Sequence, residues 1–97
     1  MTKQEFVEEM VQLDTDIHQS IEVLNSLRVE RDTLLKLAKS HNVELLAELP
    51  TDLQEKLLTN IDRLKKVVGL TDGLRRRSAD LKSQMHEEIE LAESNKG

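Results

Sequence analysis

Apolar residues recur along the first forty positions of the chain with an alternating spacing of four and three. The pattern is interrupted at Ser20 and Arg31, and its positions are Phe6, Met10, Leu13, Ile17, Leu24, Leu27, Leu34 and Ala38. A period of about 3.5 residues keeps one seam of a helix facing a partner helix. Because no glycine or proline lies within residues 3–39, the pattern predicts one long helix over that range.

Three further apolar residues widen this seam. Val7, Ile21 and Leu35 each follow a seam position directly. An apolar stripe broader than two positions in seven suits a core of three or four helices better than an isolated pair. We therefore expect part of the stripe to remain available to another helix.

The sequence Ser40-His41-Asn42 interrupts the helical pattern. Asn42 is a favourable N-cap residue, so we predict a short helix over 43–49. That helix must end before Pro50, because the residue that precedes a proline disfavours the α conformation. Residues 40–51 thus form the predicted connection between two long helices.

A second helical stripe begins directly after this connection. Thr51 and Gln54 have the spacing of a capping box, which predicts a helix over 52–93. Its apolar positions are Leu53, Leu57, Ile61, Leu64, Val67, Val68, Leu74, Leu81, Met85, Ile89 and Ala92. Gly69 and Gly73 interrupt the stripe, and each costs about 1 kcal/mol inside a helix. We expect a continuous helix with a kink at 69–73, and a break there is the alternative.

Charge favours an antiparallel arrangement of the two long helices. Residues 3–22 contain one base and six acids, whereas residues 63–82 contain seven bases and two acids. A hairpin places these oppositely charged stretches side by side. Exposed ion pairs contribute only about 0 to 1 kcal/mol each, so they select orientation more than they add stability. The predicted fold is all-α: one domain over 1–97, an antiparallel coiled-coil-like hairpin that completes a bundle as an oligomer or with a partner.

The predicted core is formed by the apolar residues of the two stripes that face one another. Its members are Met10, Leu13, Ile17, Leu24, Leu27, Leu34, Leu57, Ile61, Leu64, Leu81 and Met85.

Composition excludes several functional classes. The chain lacks cysteine, which excludes disulfides, thiolate metal sites and thiol nucleophiles. Its formal net charge is −5 and it contains one Phe but no Trp or Tyr, which argues against nucleic-acid binding. With neither an apolar run of membrane-spanning length nor an apolar signal core after Met1, we expect no membrane insertion and a cytoplasmic location.

No arrangement typical of an active site or metal site is evident. His18 with Glu22 and His86 with Glu90 have the spacing of a helical metal site, but helices rich in glutamate produce that spacing often. No phosphate-binding loop or nucleophile motif occurs. We therefore expect a non-enzymatic protein without a cofactor or metal.

The later half of the second helix is the predicted partner-binding site. Its apolar residues Leu70, Leu74, Leu81, Met85 and Ile89 recur at helical spacing, which is typical of a surface that accepts an amphipathic helix. Methionine repacks readily against varied apolar partners, and the two glycines lower local helix stability. Arg75, Arg76 and Arg77 would steer an acidic partner. Alternatively, these arginines form a solvated basic turn that pairs with the first helix.

Two segments resemble a known family. Residues 27–35, with the sequence LRVERDTLL, resemble the E-R-x-x-L-L segment in the first helix of FlgN-type flagellar export chaperones. Residues 64–77 resemble the later helix of that family, where a leucine repeat runs into a polar turn. The resemblance implies a cytoplasmic chaperone that holds a helical export client until the type III secretion machinery takes it. The alternative is a structural coiled-coil subunit or adaptor of a larger assembly, and a homodimer is one form of such an assembly.

Overall fold

The protein is an antiparallel hairpin of two long helices, as the stripe pattern and charge distribution predict. The computed structural model describes residues 1–96. Helix α1 spans Lys3–Ser40, a 3₁₀ turn spans Leu46–Glu48, and helix α2 spans Thr51–Lys96. Helices account for 91% of the described residues, which contain no strand, and this confirms the all-α prediction. The hairpin is a rod with extents of 74 × 20 × 15 Å.

Helix α1 begins with a cap that the stripe pattern did not reveal. The Thr2 side chain accepts a hydrogen bond from the Glu5 backbone N–H at 3.1 Å. The Phe6 N–H donates to the Thr2 carbonyl at 3.0 Å, which closes the first turn. At the other end, the His41 N–H donates to the Ala38 carbonyl, and His41 itself is extended. Helix α1 is thus capped at its start and stopped where the apolar stripe ends.

The two helices meet along a buried seam that contains both apolar and polar residues. The buried apolar residues are Leu13, Leu24, Leu27, Leu34, Leu49, Leu53 and Leu81. Three polar residues, Ser20, Asn60 and Thr71, are buried among them. Ser20 therefore continues the seam of α1, although the sequence pattern suggested an interruption there.

Hydrogen bonds satisfy most of the buried polar groups. Thr71 Oγ1 donates to Ser20 Oγ across the seam at 2.9 Å, and Ser20 Oγ donates to the Ile17 carbonyl at 2.8 Å. Asn60 Nδ2 donates to the Leu27 carbonyl of α1 at 3.0 Å. The contact of Thr71 with Ser20 and that of Asn60 with Leu27 join the two helices, and each requires one particular alignment of α1 and α2. The polar pairs therefore fix the register of the hairpin, which leucine contacts alone would specify less strictly.

The predicted core needs correction at two positions. Leu13, Leu24, Leu27, Leu34 and Leu81 are buried as predicted, and Met10, Ile17, Leu57 and Leu64 are partly buried. Ile61 and Met85, however, are 55% and 44% exposed, so their assignment to the core was wrong. The physical reason for Ile61 is that Asn60 occupies the seam position beside it and turns Ile61 toward the edge of the seam.

The connection is less helical than predicted. The predicted helix over 43–49 is wrong, because the structure contains only a 3₁₀ turn at Leu46–Glu48, and Leu45 provides no side-chain cap before it. A helical segment of seven residues gains too few hydrogen bonds to offset the cost of its first turn. Leu49 is buried in extended conformation before Pro50 and closes the end of the seam against Leu34 and Leu53.

The predicted capping box at the start of α2 is replaced by a different use of Gln54. Helix α2 already includes Thr51, and the Gln54 N–H donates to the Pro50 carbonyl at 3.0 Å. Gln54 Nε2 lies within hydrogen-bond distance of the Leu46, Ala47 and Leu49 carbonyls, at 3.1, 3.1 and 2.8 Å. Gln54 thus ties the connection to the first turn of α2.

Helix α2 continues through both internal glycines, so the alternative of a break is wrong. An added Cβ at Gly69 or Gly73 would meet no atom within 4 Å. We expect Gly69→Ala and Gly73→Ala each to raise the free energy of unfolding by about 0.5 to 1 kcal/mol, because alanine loses less backbone entropy in a helix. Urea denaturation monitored by circular dichroism measures the change. Destabilisation by either substitution would contradict the open, continuous helix.

Candidate partner-binding surface

Aliphatic side chains remain exposed on both sides of the buried seam. Two helices cover only the centre of each widened stripe, so residues that flank the seam line shallow grooves between α1 and α2. Three such grooves are named by their position along the rod. They are the mid-rod groove, the terminal groove near Met1 and the loop-end groove near Leu46.

The mid-rod groove contains the first two predicted partner-binding residues. Its apolar wall is formed by Val23, Val67, Leu70 and Leu74, and its polar wall by Asp16, Gln19 and Ser20. Leu70 is 58% exposed, whereas Leu74 is half-buried one turn further along α2. Because Val67, Leu70 and Leu74 stand at positions i, i+3 and i+7 of α2, they present one continuous ridge beside the groove.

The terminal groove contains the last two predicted residues. Met85 and Ile89 line it together with Phe6 and Ala92. The Met1 ammonium group forms an ion pair with Glu88 at 3.2 Å, which joins the first residue of the chain to α2. The residues that line the terminal groove differ from those of the mid-rod groove. The single predicted surface is therefore divided into two.

Leu81 cannot belong to either exposed surface. Its exposed fraction is 0%, so the expectation that Leu81 is an uncovered contact residue was wrong. Leu81 lies three heptads after Asn60, and residues separated by whole heptads stay on the same seam. Sequence reasoning placed Leu81 both in the core and at the binding site, and the structure assigns it to the core.

The three arginines have different environments. Arg77 donates from Nε to Glu9 Oε1 at 2.8 Å, and its Nη2 contacts the same oxygen. This contact between α1 and α2 supports the antiparallel charge pairing expected from sequence. All three arginines are exposed, but Arg75 and Arg76 point in other directions than Arg77 because successive helical residues lie about 100° apart. The predicted steering role of Arg75 and Arg76 stays a prediction, whereas Arg77 is engaged with α1.

The loop-end groove was missed by sequence reasoning. Leu35, Leu57, Leu58 and Ile61 line it together with Leu46, Ala47, Leu49 and Gln54. Leu46 and Leu58 are 78% and 64% exposed. A signal was present in the adjacent leucine pairs Leu34-Leu35 and Leu57-Leu58, because neighbouring helical residues cannot both face the seam.

The size of the grooves bears on what they can hold. The mid-rod and loop-end grooves have volumes of about 280 and 320 Å³. These values lie close to the lower end of the roughly 300 to 1,000 Å³ of small-molecule pockets. Grooves that are small, apolar and open along the rod suit the side chains of a docking helix better than an enclosed cofactor.

The described residues form neither a metal cluster nor a membrane span. Within residues 1–96, no group of three or more His, Asp or Glu side chains is placed to hold a metal ion. His18 Nε2 lies 3.9 Å from Glu22 Oε1, and both side chains are largely exposed. No described helix is long and apolar enough to span a membrane.

Comparisons with known proteins do not identify the chain. No protein-family model, curated protein or solved structure matches it. The resemblance to FlgN-type chaperones therefore stays a prediction that depends on residues 27–35 and 64–77.

Proposed function

We propose that the protein is a non-enzymatic binding protein that holds an amphipathic helix of another protein in the mid-rod groove. The single observation that carries this proposal is the apolar ridge of exposed Leu70 and half-buried Leu74, which lies beside exposed Val23 of the other helix. Burying such aliphatic side chains contributes about 25 cal/mol per Å² of apolar surface removed from water. A third helix lying in the groove would gain this contribution without displacing the hairpin seam.

The geometry of the groove favours a helix as the occupant. The groove lies between two antiparallel helices, so a third helix can place its own i, i+3 and i+4 side chains against both. Ser20 and Thr71 lie directly beneath it and hold the two walls in register. The groove is therefore preformed in the free hairpin.

Charged residues beside the groove would orient the partner. Asp16 lies on the α1 wall, whereas Arg76 belongs to the basic stretch that follows Leu74 on α2. A partner helix with an acidic end would approach this basic stretch first. Such exposed charges raise the association rate and make it dependent on salt, with a smaller effect on the final affinity.

The finer proposal is that the partner is a helical export client and that the protein is a cytoplasmic flagellar or type III secretion chaperone. The resemblance of residues 27–35 and 64–77 to FlgN-type chaperones supports it. Met85 and Ile89 in the terminal groove provide a second apolar contact for a long client helix. A client that binds in this way would lose exposed apolar surface of its own and stay unassembled until released.

The test uses one substitution in the groove and one outside it. The partner is first recovered from native cell lysate with the tagged full-length chain and identified by mass spectrometry. Leu70→Glu is then expected to weaken binding of that partner at least tenfold, because a charge would be buried against its apolar face. Circular dichroism checks that the variant stays folded, and isothermal titration calorimetry measures the affinity.

The matched control is Val29→Glu, which alters an aliphatic residue of α1 that is 67% exposed and lies outside the three grooves. Its affinity is expected to match that of the parent chain. If the folded Leu70→Glu variant binds as tightly as Val29→Glu, the mid-rod groove is not the binding site.

A structural coiled-coil subunit of a larger assembly is the second candidate. The rod shape favours it, because the radius of gyration of 21.6 Å far exceeds the roughly 13 Å of a compact domain of this length. A subunit of this kind should precipitate or assemble in a concentration-dependent way without its fellow subunits. A chaperone should instead stay soluble alone and gain stability when its client helix is added.

A further inference from the structure

We propose that two copies of this chain pack side by side through the loop-end groove, with both connections at the same end of a four-helix bundle. We call the contact surface the dimer face. It consists of Ile21, Leu35, Leu46, Leu58, Ile61 and Val68. This inference goes beyond partner binding, because the dimer face lies on the other side of the seam from the mid-rod groove.

The residues of the dimer face share one side of the rod. Leu35 and Ile61 line the loop-end groove together. Ile21 lies two heptads before Leu35, and Val68 lies one heptad after Ile61, so both point in nearly the same direction as those residues. Leu70, two residues after Val68, points about 200° away around α2. The dimer face and the mid-rod groove can therefore be occupied at the same time.

The exposed apolar surface is large for a chain of this size. Leu46, Leu58, Ile61 and Leu35 are 78%, 64%, 55% and 51% exposed. The largest contiguous apolar patch on a soluble protein is often an interaction site.

The available area reaches the lower limit of standard dimer interfaces. The helical part of the face, from Ile21 to the end of α1, spans about 30 Å of a rod 20 Å wide. Its footprint of about 600 Å² approaches the roughly 800 Å² per partner of standard interfaces.

Charge complementarity selects a second copy and sets its orientation. A two-fold axis along the rod places α1 of one copy opposite α2 of the other, with both connections together. The stretch 3–22, with one base and six acids, then faces the stretch 63–82, with seven bases and two acids. At the edge of the dimer face, Asp14 of each copy lies opposite Arg75 of the other. Asp14 is one heptad before Ile21 and Arg75 is one heptad after Val68, so both continue the rows of the face.

The reverse orientation is disfavoured by the same residues. In this orientation the two-fold axis would pass by Val68 at right angles to the rod, and the connections would lie at opposite ends. Helix α2 of one copy would then lie against α2 of the other. The basic stretch 63–82 would then face residues 54–73, which contain four bases and three acids. Lys82 of one copy would also lie against the loop-end groove of the other copy, where an aliphatic side chain is needed to fill the apolar groove. Both effects oppose this arrangement.

Two ionised residues, Arg28 on α1 and Lys65 on α2, interrupt the dimer face, and Lys65 lies one heptad after Leu58 with a long aliphatic stem that lets its charge reach water. Arg28 lies between Ile21 and Leu35 in the same heptad row of α1 and is exposed. Its aliphatic stem can pack beside Ile61 of the second copy while the guanidinium group reaches water at the rim. Arg28 is therefore compatible with the interface.

Sedimentation equilibrium of the full-length chain at micromolar concentration tests the association. The parent chain is expected to be a dimer. Leu58→Glu and Ile61→Glu are each expected to raise the dissociation constant at least tenfold, because each introduces two buried charges into a symmetric interface. Val29→Glu, outside the face, should dimerise like the parent chain, and circular dichroism should show unchanged helix content for all three variants.

The orientation is measured separately by distance spectroscopy. Because the chain has no cysteine, Asn42→Cys carries a single spin label in the connection of each copy. Connections at the same end predict a distance below about 30 Å, whereas the reverse orientation predicts about 60 Å. A monomeric parent chain, unchanged dimerisation of the glutamate variants, or the longer distance would overturn the proposal.

The test is independent of the proposed function. A monomeric Leu58→Glu variant that still binds the partner would leave helix binding intact and support a dimer face of its own. A Leu70→Glu variant that loses the partner but remains a dimer would show the converse, that partner binding can be lost without loss of the dimer.

Discussion

Replacement of Leu81 with alanine is expected to lower the free energy of unfolding by about 2 to 5 kcal/mol. Leu81 has an exposed fraction of 0%, the lowest of the buried leucines. Its truncation leaves a cavity in a seam that is only two helices thick, where few other side chains can move in to fill it. Each 1 kcal/mol shifts the thermal unfolding midpoint by about 4 to 8 °C in a domain of this size. We therefore expect the melting temperature to fall by at least about 8 °C.

Leu70→Ala is the matched control for this prediction. Leu70 is also a leucine of α2 but is 58% exposed. Its truncation should change the free energy of unfolding by no more than about 0.5 kcal/mol. Equal melting temperatures for Leu81→Ala and Leu70→Ala would show that the faces of α2 are assigned wrongly.

Asn60→Asp is expected to destabilise the hairpin by about 3 to 5 kcal/mol at neutral pH. Asn60 is 1% exposed and donates from Nδ2 to the Leu27 carbonyl at 3.0 Å. Aspartate of nearly the same shape would lose this donor and bring a negative charge close to a carbonyl oxygen. The Oδ1 atom of Asn60 already has no hydrogen-bond partner, so no donor is in place to compensate the charge. Chemical denaturation at fixed pH measures the loss.

Two further variants separate charge from packing at Asn60. Asn25→Asp makes the same chemical change at an exposed position of α1 and should alter stability by no more than about 0.5 kcal/mol. Asn60→Leu removes the unpartnered oxygen and should be close to neutral or stabilising. If Asn60→Asp were as stable as Asn25→Asp, Asn60 would not lie in the seam.

The sequence was sufficient to predict the two helices and their pairing. The spacing of Leu13, Leu24, Leu27 and Leu34 places four leucines in the seam of α1, and all four are buried. The opposite charges of residues 3–22 and 63–82 predicted the antiparallel direction, which the contact between Arg77 and Glu9 illustrates.

The seam of α2 was harder to predict, because polar residues occupy part of it. A search for apolar spacing selects Ile61 and passes over Asn60, although Asn60 is the buried residue. A buried polar side chain requires a hydrogen-bond partner. For Asn60 the partner is the Leu27 carbonyl of the opposite helix, whereas Thr71 has both Ser20 of the opposite helix and the Val67 carbonyl of its own. The partners on the opposite helix depend on the register between the helices, which the sequence of one helix alone does not define.

The candidate site was only partly predictable for a related reason. Helical spacing identified Leu70 and Leu74 as neighbours, but whether α1 covers them depends on how the hairpin is aligned. The same alignment buries Leu81 completely. The loop-end groove also requires the conformation of the connection, where Leu46 is held outward by a 3₁₀ turn that replaced the predicted helix.

Site-specific photo-crosslinking in the native cell tests the central claim most directly, because it captures whatever lies against the mid-rod groove, whichever protein that is. A photoreactive amino acid replaces Leu70 in one variant and Val29 in the other, and mass spectrometry identifies the adducts. We predict that the Leu70 variant forms covalent adducts with a helical segment of another protein and that the Val29 variant does not. Equal adducts at both positions, or only adducts between copies of this chain at Leu70, would contradict the claim that the mid-rod groove holds a partner helix.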